Sequence, residues 1–248
     1  MRSFFDPSAP VLTPAELVLA FTGATPEALL LPRRAVIVFT PADLSRLVRE
    51  TGAEPVPVWL PFRRLYRPRG RQTVLARSPI GGPAVAALVE ELAAFRVREF
   101  CLWGYCGGIS ADVSIGDAIL ATAAFREEGV SSHYLESEDE LVGSEWAAQW
   151  ELPSEKARIL TGAVWTSDAL YRETADKVAA YAERGVLGVE MEVASLYAVC
   201  KHKGLKAVAF LVVSDVVRPN GWQSGFKSVQ LQKGVARLSA YIRKYVIA

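Results

Sequence analysis

The chain has 248 residues, enough for one large α/β domain or two small ones. With 51% of residues hydrophobic, it can bury a sizeable core, which excludes a disordered chain. The 28 basic residues nearly balance the 27 acidic ones, so no global charge points to a nucleic-acid polymer.

Residues 1–34 are punctuated by prolines and read as an irregular lead segment, with a short helix around Ala15–Phe21. "AVIVF" (35–39) is a fully buried strand. Pro41 opens a helix that runs to about Glu50. The prolines of "PVPVWLPFRRLYRPRGR" permit a loop or an edge strand but no central one. "TVLAR" (73–77) is a strand, "PIGGP" a turn, and "AVAALVEELAAF" an amphipathic helix. "EFCLWG" (99–104) is a buried strand ending in "YCGG", and "DAILATAAF" (117–125) is another. Residues 126–143 read as an exposed loop with an acidic tail, followed by a strand and turn in "RILTGAVWTSD". "DKVAAYAERG" is a helix closed by Gly185, and "GVLGVEM" is a strand. Val193, Leu196, Tyr197 and Cys200 then fall on one helical face, with Gly204 placed to end that helix. "KAVAFLVV" (206–213) is a buried strand that stops at Ser214-Asp215, before a Pro/Gly/Trp loop and a C-terminal helix from about Ser228. Strands alternating with helices predict one α/β domain over 35–248, with a mostly parallel sheet and helices outside.

Three cysteines form no disulfide framework, and two histidines make a zinc site improbable. Cys101 and Cys200 lie in apolar runs as buried, reduced thiols. The N-terminus lacks a basic-then-apolar signal pattern, and no apolar run is long enough for a bilayer, so the expected location is the cytoplasm. Arg63, Arg64, Arg67, Arg69 and Arg71 form a local basic cluster that reads as a solvated loop, or as a phosphate or subunit contact.

Gly188–Asp215 reads as strand, helix, strand. Parallel neighbours need such a crossover, and their carboxyl ends then share one sheet edge. Glu190, Met191 and Glu192 would leave the first strand at that edge, and Ser214 and Asp215 the second. Three carboxylates could thus meet in one pocket, the alternative being helix-capping duty.

"GVEMEVASLYAVC" followed by "VVSD" resembles the nucleoside phosphorylase family, which also contains uridine phosphorylases and methylthioadenosine/adenosylhomocysteine nucleosidases. "SPIGGPAVAALVEEL" and "GYCGGISADVSIGDAILATAAFREEGVSSHY" extend the resemblance, so that it covers roughly Ala35–Val217. It implies a single-domain phosphorylase/hydrolase-like fold with a twisted, mixed central sheet flanked by helices. It also implies cleavage of an N-glycosidic bond through an oxocarbenium-like transition state, without metal or organic cofactor. By resemblance, Glu192 accepts hydrogen bonds from the ribose 2′- and 3′-hydroxyls. Met191 packs on the sugar, Glu190 supports the ribose or the local backbone, and His133 lies near the ribose. Asp215 matches the general acid that purine-specific members direct at N7. Gly81, Gly82, Cys106, Gly107 and Arg46 are the candidates for phosphate, and Gly108, Tyr171, Arg172 and Ser214 for the base.

The text departs from the family at the phosphate site. Thr40-Pro41-Ala42-Asp43-Leu44 replaces Gly-Asp-Pro-x-Arg, and Leu102 stands where phosphorylases carry an arginine. A third family arginine falls near Trp59, leaving Arg46, Arg63 and Arg64 as substitutes. Asp43 matches the place of the nucleosidases' water-activating acid, or serves as a first-turn helix acid. The leading expectation is phosphorolysis of a purine-like nucleoside, with inorganic phosphate as co-substrate, by a dimer or hexamer acting in salvage. The alternatives are hydrolysis with Asp43 as base, and a nucleoside-binding protein without turnover.

Overall fold

The computed structural model describes residues 4–136, 138–152 and 159–247. Residues 1–3 of the N-terminal reading, residue 137 of the 126–143 loop, residue 158 of the following strand and residue 248 lie outside that range.

In chain order the elements are α1 (Pro14–Thr22), β1 (Arg34–Val38), α2 (Pro41–Thr51), β2 (Glu54–Pro55), β3 (Leu65–Arg67), β4 (Thr73–Arg77), α3 (Gly82–Ala94), β5 (Glu99–Gly108) and β6 (Ala118–Glu127). There follow α4 (Ser131–Tyr134), β7 (Leu141–Gly143), α5 (Glu145–Ala148), β8 (Ile159–Ser167), a 3-10 turn (Leu170–Arg172), α6 (Ala175–Glu183) and β9 (Gly188–Glu190). The chain closes with α7 (Val193–His202), β10 (Lys206–Arg218), β11 (Gly221–Ser224), α8 (Val229–Ile242) and a π-helical turn (Arg243–Ile247). Local signals set the helix ends. Thr13 and Glu16 form a capping box at α1, and the Thr40 hydroxyl accepts the Asp43 N–H at 3.0 Å to cap α2.

β5 organises the sheet. One of its edges pairs in parallel with β10 along its whole length. The other edge pairs in parallel with β1 over residues 99–103, then antiparallel with β9 at Gly107 and Gly108. From β9 the sheet continues in parallel through β8 and β6, and β6 returns antiparallel to β10. Strands β5, β10, β6, β8 and β9 therefore close into a ring, while β1, β4, β3 and β2 extend from it as an open wing. Trp103, Phe100, Phe210, Trp165 and Tyr197 fill the space between sheet and helices, each almost wholly buried. Each such side chain contributes on the order of 2–3 kcal/mol of hydrophobic stabilisation.

Several expectations need correction. The sheet is mixed, where strand–helix alternation alone suggested a mostly parallel one. β9 and β10 are not parallel neighbours: β5 lies between them, and β9 runs against it. β10 does not stop at Asp215. A register shift between Val213 and Asp215 carries the strand on to Arg218, and the expected Pro/Gly/Trp loop is the return strand β11. The 126–143 stretch is an exposed loop only in its acidic part: Glu136, Glu138, Asp139 and Glu140 are exposed, but Arg126, Glu128, Ser131 and Ser132 are buried and Leu141–Gly143 pairs with β6. Helix α7 is buried on every side from Val193 to Cys200, so its sequence shows no polar face there. The lead segment is part of the same core. Val18 is fully buried, and the Phe4 N–H donates to the Ser132 carbonyl at 3.2 Å. Among the described residues, no helix is long and apolar enough to cross a membrane.

Candidate active site at the end of β5

Strand β9 is only three residues long, and the chain turns into α7 immediately after it. The first amides of α7 need acceptors, which Glu190 supplies. Its Oε2 accepts the N–H of Glu192 at 2.6 Å and of Val193 at 2.7 Å, and its Oε1 accepts the Thr166 hydroxyl. Thr166 in turn accepts the Ala194 N–H at 2.9 Å. Burial, and then the charge of Glu192, push the Glu190 carboxyl up.

The Glu192 carboxylate reaches across to the start of α3, where its Oε1 accepts the Gly81 N–H at 2.6 Å. Glu192 is 6% exposed, and burial pushes its carboxyl up as well, helped by the negative charge of Asp168. Asp168 is fixed by the Gly129 N–H at 2.8 Å. The glycine pair of this turn is sterically required. Gly81 has φ +107°, in the left-handed region, and a Cβ on Gly82 would overlap Ser195 Oγ and lie 3.1 Å from its Cβ. The Ser195 hydroxyl donates to buried Glu128 at 2.9 Å, tying the α4 segment to the same turn.

Asp215 stands on the opposite edge of β5, in register with Gly107, while Val189 faces Gly107 from β9. A side chain at Gly107 would meet Val217 Cγ2 at 2.9 Å and Asp215 Oδ2 at 3.4 Å. The Asp215 Oδ1 accepts the Ser214 hydroxyl at 2.6 Å, and its Oδ2 accepts the Trp222 indole N–H at 2.8 Å. Glu173, just past the 3-10 turn, has its carboxyl pushed up to about 7 by burial and then by the charge of Asp215. The Arg218 guanidinium donates to the carbonyls of Gly108 at 2.5 Å and Ser110 at 2.8 Å, which pins the loop leaving β5. Cys106 feels the charges of both Glu190 and Asp215, so the two acids flank the end of β5 from either edge. They border the same strand because β5 changes partner there, not because their strands are parallel neighbours.

Asp43 lies deeper, beside Tyr105. Its Oδ2 accepts the Thr40 hydroxyl at 2.5 Å and the Tyr105 hydroxyl at 2.8 Å. Burial and then Asp43 push the Tyr105 phenol up. Arg46 stands 4.0 Å from Glu50, and its charge also acts on Tyr105. Leu102 is fully buried, so the missing arginine leaves an apolar position. Arg63 pairs with Glu91 at 3.0 Å, away from β5. The Cys106 thiol is buried against Gly188, where a Cβ would sit 3.0 Å from its sulfur. His133 stacks on Phe4 at 5.1 Å and lines one cavity with Asp168, Gly129 and Pro83. Tyr171 is 95% exposed, and Arg172 is exposed beside it. Met191 is half-buried, between Glu190 and Glu192.

Sequence reasoning missed Glu173, Asp168, Thr166 and Trp222. "TSDALYRET" carried a signal for the first three, since acids and hydroxyls cluster after a strand. Trp222 carried none, because only the hairpin brings it back beside Asp215.

A mixed sheet closes around one glycine-tipped strand, with buried Glu190 and Glu192 on one side of that tip and half-buried Asp215 on the other. Residues 33–247 match the family model of the Phosphorylase superfamily, and the chain belongs to that superfamily. A guanosine phosphorylase of Halorubrum lacusprofundi is 34% identical over 148 residues, covering 58% of this chain and 61% of the relative. A DeoD-type purine nucleoside phosphorylase of Myxococcus xanthus is 33% identical over 152 residues, covering 59% of this chain and 64% of the relative. The match thus spans less than two thirds of either relative's length. A uridine phosphorylase of Vibrio fischeri ES114 shares the fold with a TM-score of 0.72 at 22% identity, covering 85% of this chain and 89% of that one.

Proposed function

We propose that the chain cleaves the N-glycosidic bond of a purine-like nucleoside by phosphorolysis, yielding free base and ribose 1-phosphate. What supports this reading is that β9, ending at Glu190, and Asp215 of β10 border β5 on its two edges at Gly107, with buried Glu192 two residues beyond Glu190. Glu192 is anchored at one oxygen by Gly81 and serves as acceptor for the ribose hydroxyls. Its charge, backed by Glu190, stabilises the positive ribose ring that develops as the bond stretches. A phosphate oxygen attacks C1′, the C1′–N9 electron pair passes to the base, and Asp215 supplies the proton that N7 takes up. Arg46 and the amides near Gly82 and Gly107 are the phosphate candidates, and Gly108, Ser214, Tyr171 and Arg172 those for the base. Family membership and the names of the two relatives favour phosphorolysis over hydrolysis.

The reading includes a homo-oligomer, a dimer or hexamer, acting in cytoplasmic nucleoside salvage without metal or organic cofactor. Exposed Val11, Leu12 and Leu19, with Phe21 packed edge-on against exposed Phe62 at 5.6 Å, support association. Cleavage of inosine, guanosine, adenosine, uridine and methylthioadenosine, followed with and without phosphate, tests the proposal. Phosphate-dependent release of ribose 1-phosphate from a purine nucleoside is expected. Equal turnover without phosphate, or no turnover of any of them, overturns it.

A further inference from the structure

Trp222 is the exposed exception among the described tryptophans, 61% accessible on the β11 edge of the sheet. Trp59, Trp103 and Trp165 are buried, and Trp146 and Trp150 are half-buried. The ring contact of Trp222 with Phe226, tilted by 52° at 6.1 Å, is itself at the surface, since Phe226 is 60% exposed. The single donor of the Trp222 indole points at Asp215 Oδ2 at 2.8 Å. The hairpin register explains the reach, with Val217 opposite Trp222 and Asp215 opposite Ser224. Ser214 holds the other oxygen of the same carboxylate at 2.6 Å.

We infer that Trp222 is a positioning residue for the reaction: its indole N–H, with the Ser214 hydroxyl, sets the plane of the Asp215 carboxylate toward the base. This rests on the assignment of Asp215 made above. A carboxylate held by two donors cannot rotate freely, so the oxygen that meets the base has a defined direction. Removing the indole donor frees the carboxylate while leaving its charge in place. The loss then falls on kcat, because orientation matters in the transition state, and far less on KM.

The test compares wild type, Trp222→Phe, Asp215→Asn and the double variant on inosine or guanosine with phosphate. Trp222→Phe is expected to lower kcat about 10- to 100-fold, the weight of one hydrogen bond to a charged group, with KM nearly unchanged. In the Asp215→Asn background the same change is expected to cost less than threefold, since the two residues act as a unit. A second readout needs no turnover. Trp222 dominates the solvent-exposed indole emission, so Asp215→Ala should shift the emission of wild type and leave that of Trp222→Phe unmoved. Unchanged kcat in Trp222→Phe, full additivity with Asp215→Asn, or no emission shift on Asp215→Ala overturns the inference. If wild type cleaves no nucleoside at all, the proposed function falls, and the emission arm still decides whether Trp222 holds Asp215.

Discussion

Replacing Glu192 by Gln isolates the charge at the proposed ribose position. The amide keeps the length of the side chain, and its Oε1 can still accept the Gly81 N–H now held at 2.6 Å. What disappears is a negative charge that the chain buries to 6% exposure beside Glu190 and Asp168. A full positive charge 4–5 Å away would interact with it by about 3–4 kcal/mol at an effective dielectric near 20. The ring carries part of that charge at the transition state, so about 2–4 kcal/mol is lost, or roughly 30- to 1,000-fold in kcat. Stability should move the opposite way. Burial raises the Glu192 carboxyl above its unfolded value, so the folded state holds the proton more tightly. Its contribution is then fullest at low pH and is lost as pH rises through the folded value. Glu192→Gln removes that loss, and its melting temperature should exceed that of wild type by a margin that grows from about pH 4.5 to about 7 and then levels off. Paired measurement of phosphorolysis rate and of thermal unfolding from pH 5 to 9 checks both signs. A variant with wild-type kcat, or one less stable than wild type at pH 9, would refute the reasoning.

Asp215→Asn should reduce purine-nucleoside cleavage by about 10²–10⁴, the contribution of a positioned general acid, and full activity in steady-state assays would remove Asp215 from that role. Gly82→Ala forces a methyl group onto Ser195 Oγ and should destabilise by about 1–3 kcal/mol, a drop of roughly 3–10 °C in melting temperature. Adding Ser195→Ala should cost less than the sum of the two single changes, and a double-mutant cycle by calorimetry that finds full additivity would mean the clash lies elsewhere. Glu91 is pushed up to about 7 by burial, against the opposing charge of Arg63. It therefore lowers stability as pH rises from about 4.5 to about 7, and Glu91→Gln should flatten that part of the stability–pH curve. An unchanged slope in denaturant titrations would show that Arg63 fully compensates the buried charge.

The readability of this chain followed the range of the interactions that decide each part. Helix ends were legible because their causes are local, such as Pro41 after Thr40 and Gly52 past the last turn of α2. Buried strands were legible because β-branched, apolar runs suit them: residues 35–38, 73–77, 99–104 and 206–213 all lie in strands. The course of the chain beyond Asp215 was not legible, because Val216 and Val217 become strand only through pairing with Gly108 and with β11. The buried first part of the 126–143 stretch misled for a similar reason. Its polar residues look solvated in sequence, yet Glu128 is satisfied by the amides of Val130 and Ser131 and by a hydroxyl from α7. Glu190 could be foreseen as an acid near a helix start, whereas the reach of Glu192 to Gly81, 111 residues away in sequence, could not.

The same fork that defeated the parallel-neighbour argument makes the acid cluster tolerable. An acid buried on a single strand would need partners from its own edge, and desolvation would drive it to take a proton or leave the core. At the end of β5 two edges meet, so donors arrive from separate elements. Thr166 and the first turn of α7 serve Glu190, the α3 turn serves Glu192, and Ser214 and β11 serve Asp215. Gly107 and Gly108 keep the shared strand bare, and Gly107 lets Asp215 and Val217 approach it from one side while Val189 does so from the other. Any residue larger than glycine at 107 would push those walls apart. The glycine tip and the carboxylates are therefore one structural unit, and neither should tolerate change without the other.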